Sequence, residues 1–180
     1  MNAEKLTQKA MEALEAAHAD AVRKGHPELT TLHLLQALLE QEHGLTGNLL
    51  GKMGKDPGIL QQAVSEELGK LPTFNGASGR VAASGGMNQV LVRSDDEAKQ
   101  LGDEYVSVEH LLLAILEEGK SGPAGRLLQE HSIRRKELMK TLEDVRGGQR
   151  VTNRNPEDTF EALEKYGSDL TLLAREGKLD

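Results

Sequence analysis

The sequence contains no cysteine and no tryptophan, and aromatic residues make up 2% of its 180 positions. Without cysteine the chain can form neither a disulfide framework nor thiolate chemistry, which agrees with a reducing, cytoplasmic location. The scarcity of aromatic residues means that a core must be built from Leu, Ala, Val, Ile and Met. This composition favours helix.

Long hydrophobic runs and an excess of positive charge are also absent. No run of 18 apolar residues occurs, and the amino-terminal MNAEKLTQKAMEALEAAHADA lacks the apolar stretch of a signal peptide. The chain has 22 Lys and Arg against 29 Asp and Glu, a formal net charge of −7. This balance argues against general binding to nucleic-acid backbones or anionic membranes. We therefore expect a soluble protein with neither nucleic acid nor membrane as partner.

An internal repeat is the strongest pattern that the sequence does contain. The stretch YVSVEHLLLAILEE, which begins at Tyr105, repeats the pattern of LTTLHLLQALLEQE, which begins at Leu29. When His33 is aligned with His110, 77 positions later, apolar and glycine positions on either side also coincide. Such self-similarity predicts two copies of one structural unit.

Each copy predicts four helices, because apolar residues recur at spacings of three and four. The breaks between these helices have typical residues. Gly25 and Gly102 are placed to end a helix in the left-handed conformation, and Thr30 and Ser107 are placed to cap the next one. We therefore predict an all-α fold in which two tandem four-helix repeats pack as one pseudo-symmetric globular domain, followed by a linker and a short helical segment.

The domain boundaries follow from shifts in composition. The globular domain should span residues 1–145, and a flexible linker should follow because RGGQRVTNRNP has no apolar periodicity. The predicted segments are repeat 1 over about 6–71, a surface connector over 72–82, repeat 2 over about 83–145, the linker over 146–156 and a helical segment over 157–180.

No catalytic, cofactor or metal site is predicted. The GKS at 119–121 resembles the end of a phosphate-binding loop, but Ala114 stands where that loop needs glycine and a helix precedes it. His33 and His110 recur in the first turn of equivalent helices, with no neighbouring base or nucleophile. Packing or hydrogen bonding at that turn is favoured for both over a ligand or proton-transfer role.

Exposed apolar residues predict a binding function instead. Val90, Leu91 and Val92 are consecutive on a helix whose residues turn by about 100° each, so all three cannot face one core. Leu113 is expected to be similar, because its counterpart in the first copy is Gln36. These residues could line a groove for an extended or partly unfolded peptide, or the two repeats could cover them by packing together.

An acidic pair is found in the second copy alone. Glu109 follows the N-cap candidate Ser107, where the helix dipole favours a carboxylate, and Asp103 lies in the turn before it. The first copy has Leu32 and His26 at these positions. The pair therefore distinguishes the two repeats beside the expected groove.

The doubled unit, with its TTLHLLQALLEQE and SVEHLLLAILEE, resembles the Clp amino-terminal repeat domain. The stretch from Val145 onward is similar to the connector that leads into the first AAA+ ATPase module in the disaggregase branch of this family. The resemblance implies a non-enzymatic, monomeric fragment of an ATP- and Mg-dependent unfoldase. It implies unfolded or aggregated polypeptide as partner, with a homohexamer and a DnaK-type chaperone system acting through parts outside this chain. The alternative is adaptor docking, as in protease-partner unfoldases of the family.

The resemblance also implies site residues. The family uses a polar surface that corresponds here to Thr7, Asp103 and Glu109, and a groove with apolar residues from the first helix of the second repeat. Leu91 fits that groove, whereas charged side chains stand at Arg93 and Glu97. The predicted substrate-binding set is Thr7, Leu91, Val92, Asp103, Glu109 and Leu113.

Overall fold

The computed structural model describes residues 3–74, 80–157 and 160. Eight α helices lie wholly within these residues, four in each repeat, so the predicted all-α fold is confirmed. The helices are α1 Gln8–Arg23, α2 Thr31–Glu40, α3 Leu45–Lys52, α4 Pro57–Gly69, α5 Gly85–Gln100, α6 Val108–Glu118, α7 Pro123–Glu130 and α8 Arg135–Arg146. Two short 3₁₀ helices occupy Ala3–Lys5 and Gly119–Ser121, and two strands, β1 Glu28–Leu29 and β2 Ala82–Ala83, complete the described elements.

The helices begin and end at residues that are typical of helix boundaries. The Thr7 hydroxyl accepts a hydrogen bond from the Ala10 N–H at the start of α1, and Ser84 does the same for Met87 at the start of α5. These bonds satisfy amides that the helix itself leaves free. Gly25 and Gly102 have φ values of 70° and 72°, a region that side chains with a Cβ rarely adopt. Both therefore allow the chain to turn directly after the first helix of a repeat.

Two short parallel pairings join the repeats. β1 pairs with β2, and Leu6 forms an isolated parallel bridge with Val106. In the repeat alignment Leu6 corresponds to Ala83, and Leu29 corresponds to Val106. Each pairing therefore connects the start of the first helix in one repeat to the start of the second helix in the other. This reciprocal arrangement gives the domain its pseudo-twofold symmetry and places the starts of α1 and α6 side by side.

The core centres on α2 and α6, whose side chains are almost all buried. α6 contacts helices from both repeats, including α1, α2, α3, α5, α7 and α8, so it has no free face. Leu113 is consequently 0% exposed, and its counterpart Gln36 is 9% exposed. The expectation that Leu113 faces solvent is therefore wrong, because a residue-by-residue comparison with the first copy does not detect a helix surrounded on all sides.

The stretch expected to be a flexible linker, residues 146–156, instead packs against the domain at several points. Arg146 and Val151 are buried, at 4% and 0% exposed. The Glu104 N–H donates to the Val151 carbonyl at 2.8 Å, and the Gln8 N–H donates to the Arg154 carbonyl at 2.8 Å. Backbone hydrogen bonds need no apolar periodicity, and this is why the sequence pattern did not reveal the contact.

The other predicted boundaries are only partly covered by the structure. Residues 75–79 of the connector, and 158–159 and 161–180 of the carboxy-terminal segment, lie outside the described residues. Within the connector, the Phe74 N–H donates to the Gly25 carbonyl at 2.9 Å, and residue 82 already belongs to β2. The connector is thus attached to the body at both of its described ends.

Candidate functional site

The structure does not place the six predicted binding residues on one open groove. Thr7, Asp103, Glu109 and Leu113 are at most 8% exposed, so their side chains are closed to an external chain in this conformation. Leu91 is half-buried against the core. Val92 is 63% exposed.

Thr7 lies at a slot between the starts of α1 and α6. Its hydroxyl donates to Glu157 Oε1 at 2.8 Å, and the Val108 N–H, at the first residue of α6, points to the same oxygen at 3.4 Å. Helix starts carry unsatisfied amides and the positive end of the helix dipole, so they favour a carboxylate. Glu157, from the segment after α8, therefore occupies what we call the α1–α6 slot.

Glu109 makes this slot electrostatically strained. Both of its carboxylate oxygens are buried without a hydrogen-bond partner among the described residues, and so is Oε2 of Glu157. Burial, together with the negative charge of Glu109, raises the pKa of Glu157 to about 7. The slot thus contains two carboxyl groups that cannot both ionise without repulsion.

Asp103 is the centre of a buried polar cluster and not part of an exposed polar surface. It accepts hydrogen bonds from His110 Nε2 at 2.7 Å, from the Val151 N–H at 2.9 Å, and from the Arg146 guanidinium. Burial alone would raise the pKa of Asp103, but hydrogen bonds from His110, Arg146 and Val151 lower it to about 2. Asp103 therefore holds the end of α8 and the returning chain against the second repeat.

His33 and His110 make the same bond in their respective repeats. His33 Nδ1 accepts from the Thr30 N–H at 3.0 Å, and His110 Nδ1 accepts from the Ser107 N–H at 2.8 Å. Each Nε2 then faces the turn before its helix. His33 meets His26 there, at 2.8 Å. Both histidines are fully buried and hydrogen-bonded at the first turn, as their positions in the sequence favoured.

Burial and the neighbouring His26 lower the pKa of His33 to about 4, so the first repeat contains a neutral imidazole pair.

α5 carries the accessible apolar residues that the sequence predicted, although Ile59 and Phe74 elsewhere in the domain are also exposed, at 58% and 62%. Val90 is buried while Val92 is exposed, as expected because three consecutive residues of a helix cannot all face one core. Glu97, which stands where an apolar groove residue was expected, is 6% exposed and makes two 2.7 Å hydrogen bonds with Arg135. Its charge is thus used in an ion pair with α8, and the accessible apolar surface of α5 is confined to Leu91 and Val92.

Sequence reasoning missed Arg146, Val151 and Glu157. These residues contribute to the site through single contacts, without a periodic pattern that would predict them. The isolated Val151 in an otherwise polar stretch is the one signal that could have indicated burial.

Within residues 3–74, 80–157 and 160, no group of three His, Asp or Glu side chains could hold a metal ion. None of the helices in the same part of the chain is long and apolar enough to cross a membrane.

Comparison with known proteins shows which proteins this chain is similar to. Residues 5–131 match the family model described as the Clp repeat (R) N-terminal domain. The chain is 49% identical over 183 aligned positions to the chaperone protein ClpB of Nitratidesulfovibrio vulgaris, covering 100% of this chain and 21% of that protein. It thus spans about a fifth of the length of the curated relatives it matches.

Solved structures share the fold at low sequence identity. The Hsp104 N-terminal domain from Candida albicans has a TM-score of 0.75 at 24% identity, covering 85% of this chain and 99% of that domain. A ClpV N-domain in complex with a VipB peptide has a TM-score of 0.60 at 23% identity, covering 78% of this chain and 86% of that one.

Proposed function

Because the chain belongs to the Clp repeat N-terminal domain family, we propose that it is the substrate-recruiting domain of a ClpB-type disaggregase. In this proposal the domain binds unfolded or aggregated polypeptide and delivers it to the pore of a hexameric ring. The observation that carries the proposal is the apolar surface that Leu91 and Val92 present on α5, with Val92 63% exposed. A ClpV N-domain of the same fold, which forms a complex with a VipB peptide, supports peptide binding by this architecture.

The size of this surface predicts weak and selective binding. A single exposed valine beside a half-buried leucine offers little apolar area, so affinity for any one segment should be low. Unfolded chains present apolar side chains that folded proteins bury. We therefore expect rapid, reversible binding to unfolded polypeptide and no measurable binding to a folded protein of the same composition.

The remaining functions belong to the parent protein in this proposal. ATP and Mg would be used by AAA+ modules outside this chain, and a DnaK-type chaperone would act through those parts. The domain itself would be a cytoplasmic, monomeric, non-enzymatic module. Adaptor docking, as in ClpA- or ClpC-type unfoldases, is the alternative outcome of the test.

The test is an NMR titration of the 180-residue chain with a permanently unfolded polypeptide, following the backbone amides of α1, α5 and α6. Fast-exchange shifts concentrated at Leu91 and Val92 are expected, and a folded protein of matched composition should cause none. No shift at millimolar polypeptide would contradict substrate recruitment. Equal shifts with the folded protein would do so as well, and would favour adaptor docking.

A further inference from the structure

The domain has two related slots, and each contains a buried carboxylate. At the start of α2, Glu118 Oε1 accepts a hydrogen bond from the Thr31 hydroxyl at 3.1 Å, and Oε2 accepts from the Gly125 N–H at 3.3 Å. Thr31 is the first residue of α2, and its counterpart at the first residue of α6 is Val108. Val108 faces Glu157. The two carboxylates therefore lie at equivalent helix starts.

The two slots differ in where the carboxylate comes from. Glu118 ends α6, so the helical core fixes its position. Glu157 belongs to a segment that returns from the end of α8 and is held by a few separate contacts. The slots also differ in charge, because Glu109 stands beside Glu157 whereas its counterpart in the first repeat is Leu32. The carboxylate of the first slot, Glu118, is thus part of a helix. The carboxylate of the second slot, Glu157, comes from a connecting segment and is repelled by Glu109.

We propose that residues 151–157 form a removable cover over the α1–α6 slot, and that lifting the cover exposes Thr7, the Val108 N–H and Glu109 to another polypeptide. The existence of the cover is independent of the proposed function. Its use in controlling access to these residues rests on that function.

Specific contacts hold the cover down. The Gln8 and Glu104 amides donate to the carbonyls of Arg154 and Val151, and the Val151 amide donates to Asp103. The Val151 side chain is fully buried. Glu157 adds its bonds with Thr7 and Val108, and Phe160, just beyond the cover, is 1% exposed. These contacts lie outside the eight helices, so the cover can open locally while the helices stay folded.

Other groups oppose closure. Three carboxylate oxygens, two of Glu109 and one of Glu157, are buried beneath the cover without hydrogen-bond partners. Asp103, Arg146 and Arg154 also carry charge at the cover, and each of them has a partner. Asp103 and Arg146 bind each other, and Arg154 donates its Nε–H to the Leu6 carbonyl at 3.3 Å. Glu109 is therefore the charge that acts against an ionised Glu157.

Closure should consequently depend on pH. With the cover closed, the pKa of Glu157 is raised to about 7, against an ordinary value of 4.5 when exposed. A raised pKa in the closed state means that proton binding favours closure. The cover should be most stable below pH of about 4.5 and should weaken until about pH 7. Between pH 5 and pH 8 the ratio of closed to open forms should fall by roughly 50- to 100-fold.

The experiment is amide hydrogen exchange on the full 180-residue chain at pH values from 5 to 8, corrected for intrinsic exchange rates. Gln8, Glu104 and Val151 report on the cover. Their protection should fall by the stated factor, while Glu157→Gln should keep it nearly constant, because glutamine retains the acceptor without the charge. The Ser84 amide, which donates to the Leu29 carbonyl at 2.9 Å, is the matched control and should not respond.

Two outcomes would overturn the proposal. One is equal, pH-independent protection of the three amides in the wild type and in Glu157→Gln. The other is the absence of protection at any pH, which would mean that residues 151–157 do not cover the slot. Circular dichroism of both proteins establishes that the helices are intact in either case.

Repeating the polypeptide titration at pH 5 and pH 8 separates this inference from the proposed function. Shifts at Val108 and Glu109 at pH 8 alone would support control of access by the cover. Amide protection that depends on pH, with no chemical-shift change on adding polypeptide, would support the cover and contradict substrate recruitment. Shifts at Leu91 and Val92, with protection of the Gln8, Glu104 and Val151 amides that does not change with pH, would support recruitment and contradict a cover that Glu157 controls.

Discussion

The two repeats use the same histidine in the same helix turn and give it different partners. In the first repeat His33 faces His26, and the pair is neutral. In the second repeat His110 faces Asp103, which also binds Arg146 and the returning chain. A single change in the turn before the helix, from imidazole to carboxylate, thus converts a local packing contact into a centre that gathers distant segments.

The largest effect is expected from removing the charge of that centre. Asp103→Asn would leave the Arg146 guanidinium buried without its counter-ion, so the free energy of unfolding should fall by about 3–5 kcal/mol. The matched change in the first repeat, His26→Asn, removes one neutral hydrogen bond and should lower it by about 1 kcal/mol. Urea denaturation at pH 7 measures both. Equal losses in the two variants would show that Asp103 has no greater structural role than His26.

Lowering the pH should remove the stabilising contributions of the two repeats over different pH ranges. The pKa of His33 is lowered to about 4, so the stability it contributes is fully present above its ordinary value of 6.5 and is lost as pH falls towards 4. The loss should reach about 2–3 kcal/mol. The pKa of Asp103 is lowered to about 2, so its contribution is lost only below its ordinary value of 3.8.

His33→Gln isolates the first of these effects. Subtracting the unfolding free energies of the wild type and His33→Gln at each pH cancels the opposite contribution of Glu157, whose pKa is raised. This difference should change between pH 6.5 and pH 4 and be flat above. A difference that is constant over the whole range would contradict a neutral, buried His33.

A pair of equivalent glycines tests packing in the third helix of each repeat. A Cβ added at Gly125 in α7 would lie 2.5 Å from the Gly119 nitrogen and 2.9 Å from the Ile115 carbonyl oxygen, so Gly125→Ala should destabilise by about 1–3 kcal/mol. Gly47 is its counterpart in α3, because one inserted residue in the second copy makes the repeat offset 78 in this region. A Cβ added at Gly47 would have nothing within 4 Å. Gly47→Ala should therefore stabilise by up to about 1 kcal/mol through helix propensity. Thermal and urea denaturation of both variants measure the contrast, which would fail if the two changes had the same sign.

The repeats themselves could be predicted because their signals are local. Helix starts at Thr30 and Ser107, and turns at Gly25 and Gly102, follow from short-range chemistry that the sequence repeats. The two-strand pairing of β1 with β2 was not predicted, since a two-residue strand leaves almost no pattern.

The candidate site was predicted less well because it is assembled over long distances. Thr7 and Glu157 lie 150 positions apart, and one side-chain hydrogen bond leaves no periodic signal at either end. The resemblance indicated Thr7, Asp103 and Glu109, but burial depends on what covers them. A motif indicates which residues matter and does not indicate whether another part of the chain lies on top.

Val92→Glu should change stability the least of these variants, and it tests polypeptide binding most directly. Val92 is the counterpart of Glu15 in the first repeat, and both are exposed beside a half-buried leucine, Leu91 or Leu14. Val92→Glu makes the two surfaces alike and should alter the unfolding free energy by less than about 0.5 kcal/mol. It should also abolish polypeptide-induced shifts on α5, because a charge there must be desolvated on contact with apolar side chains.

The reciprocal variant, Glu15→Val, shows whether exposed apolar character is sufficient. If it is, polypeptide should cause new shifts on α1, since Glu15→Val recreates next to Leu14 the surface that α5 has next to Leu91. Shifts on α5 that persist in Val92→Glu would contradict the proposed contact. Loss on α5 without gain on α1 would mean that binding also needs residues peculiar to the second repeat, and Glu109 beneath the cover is the first to test.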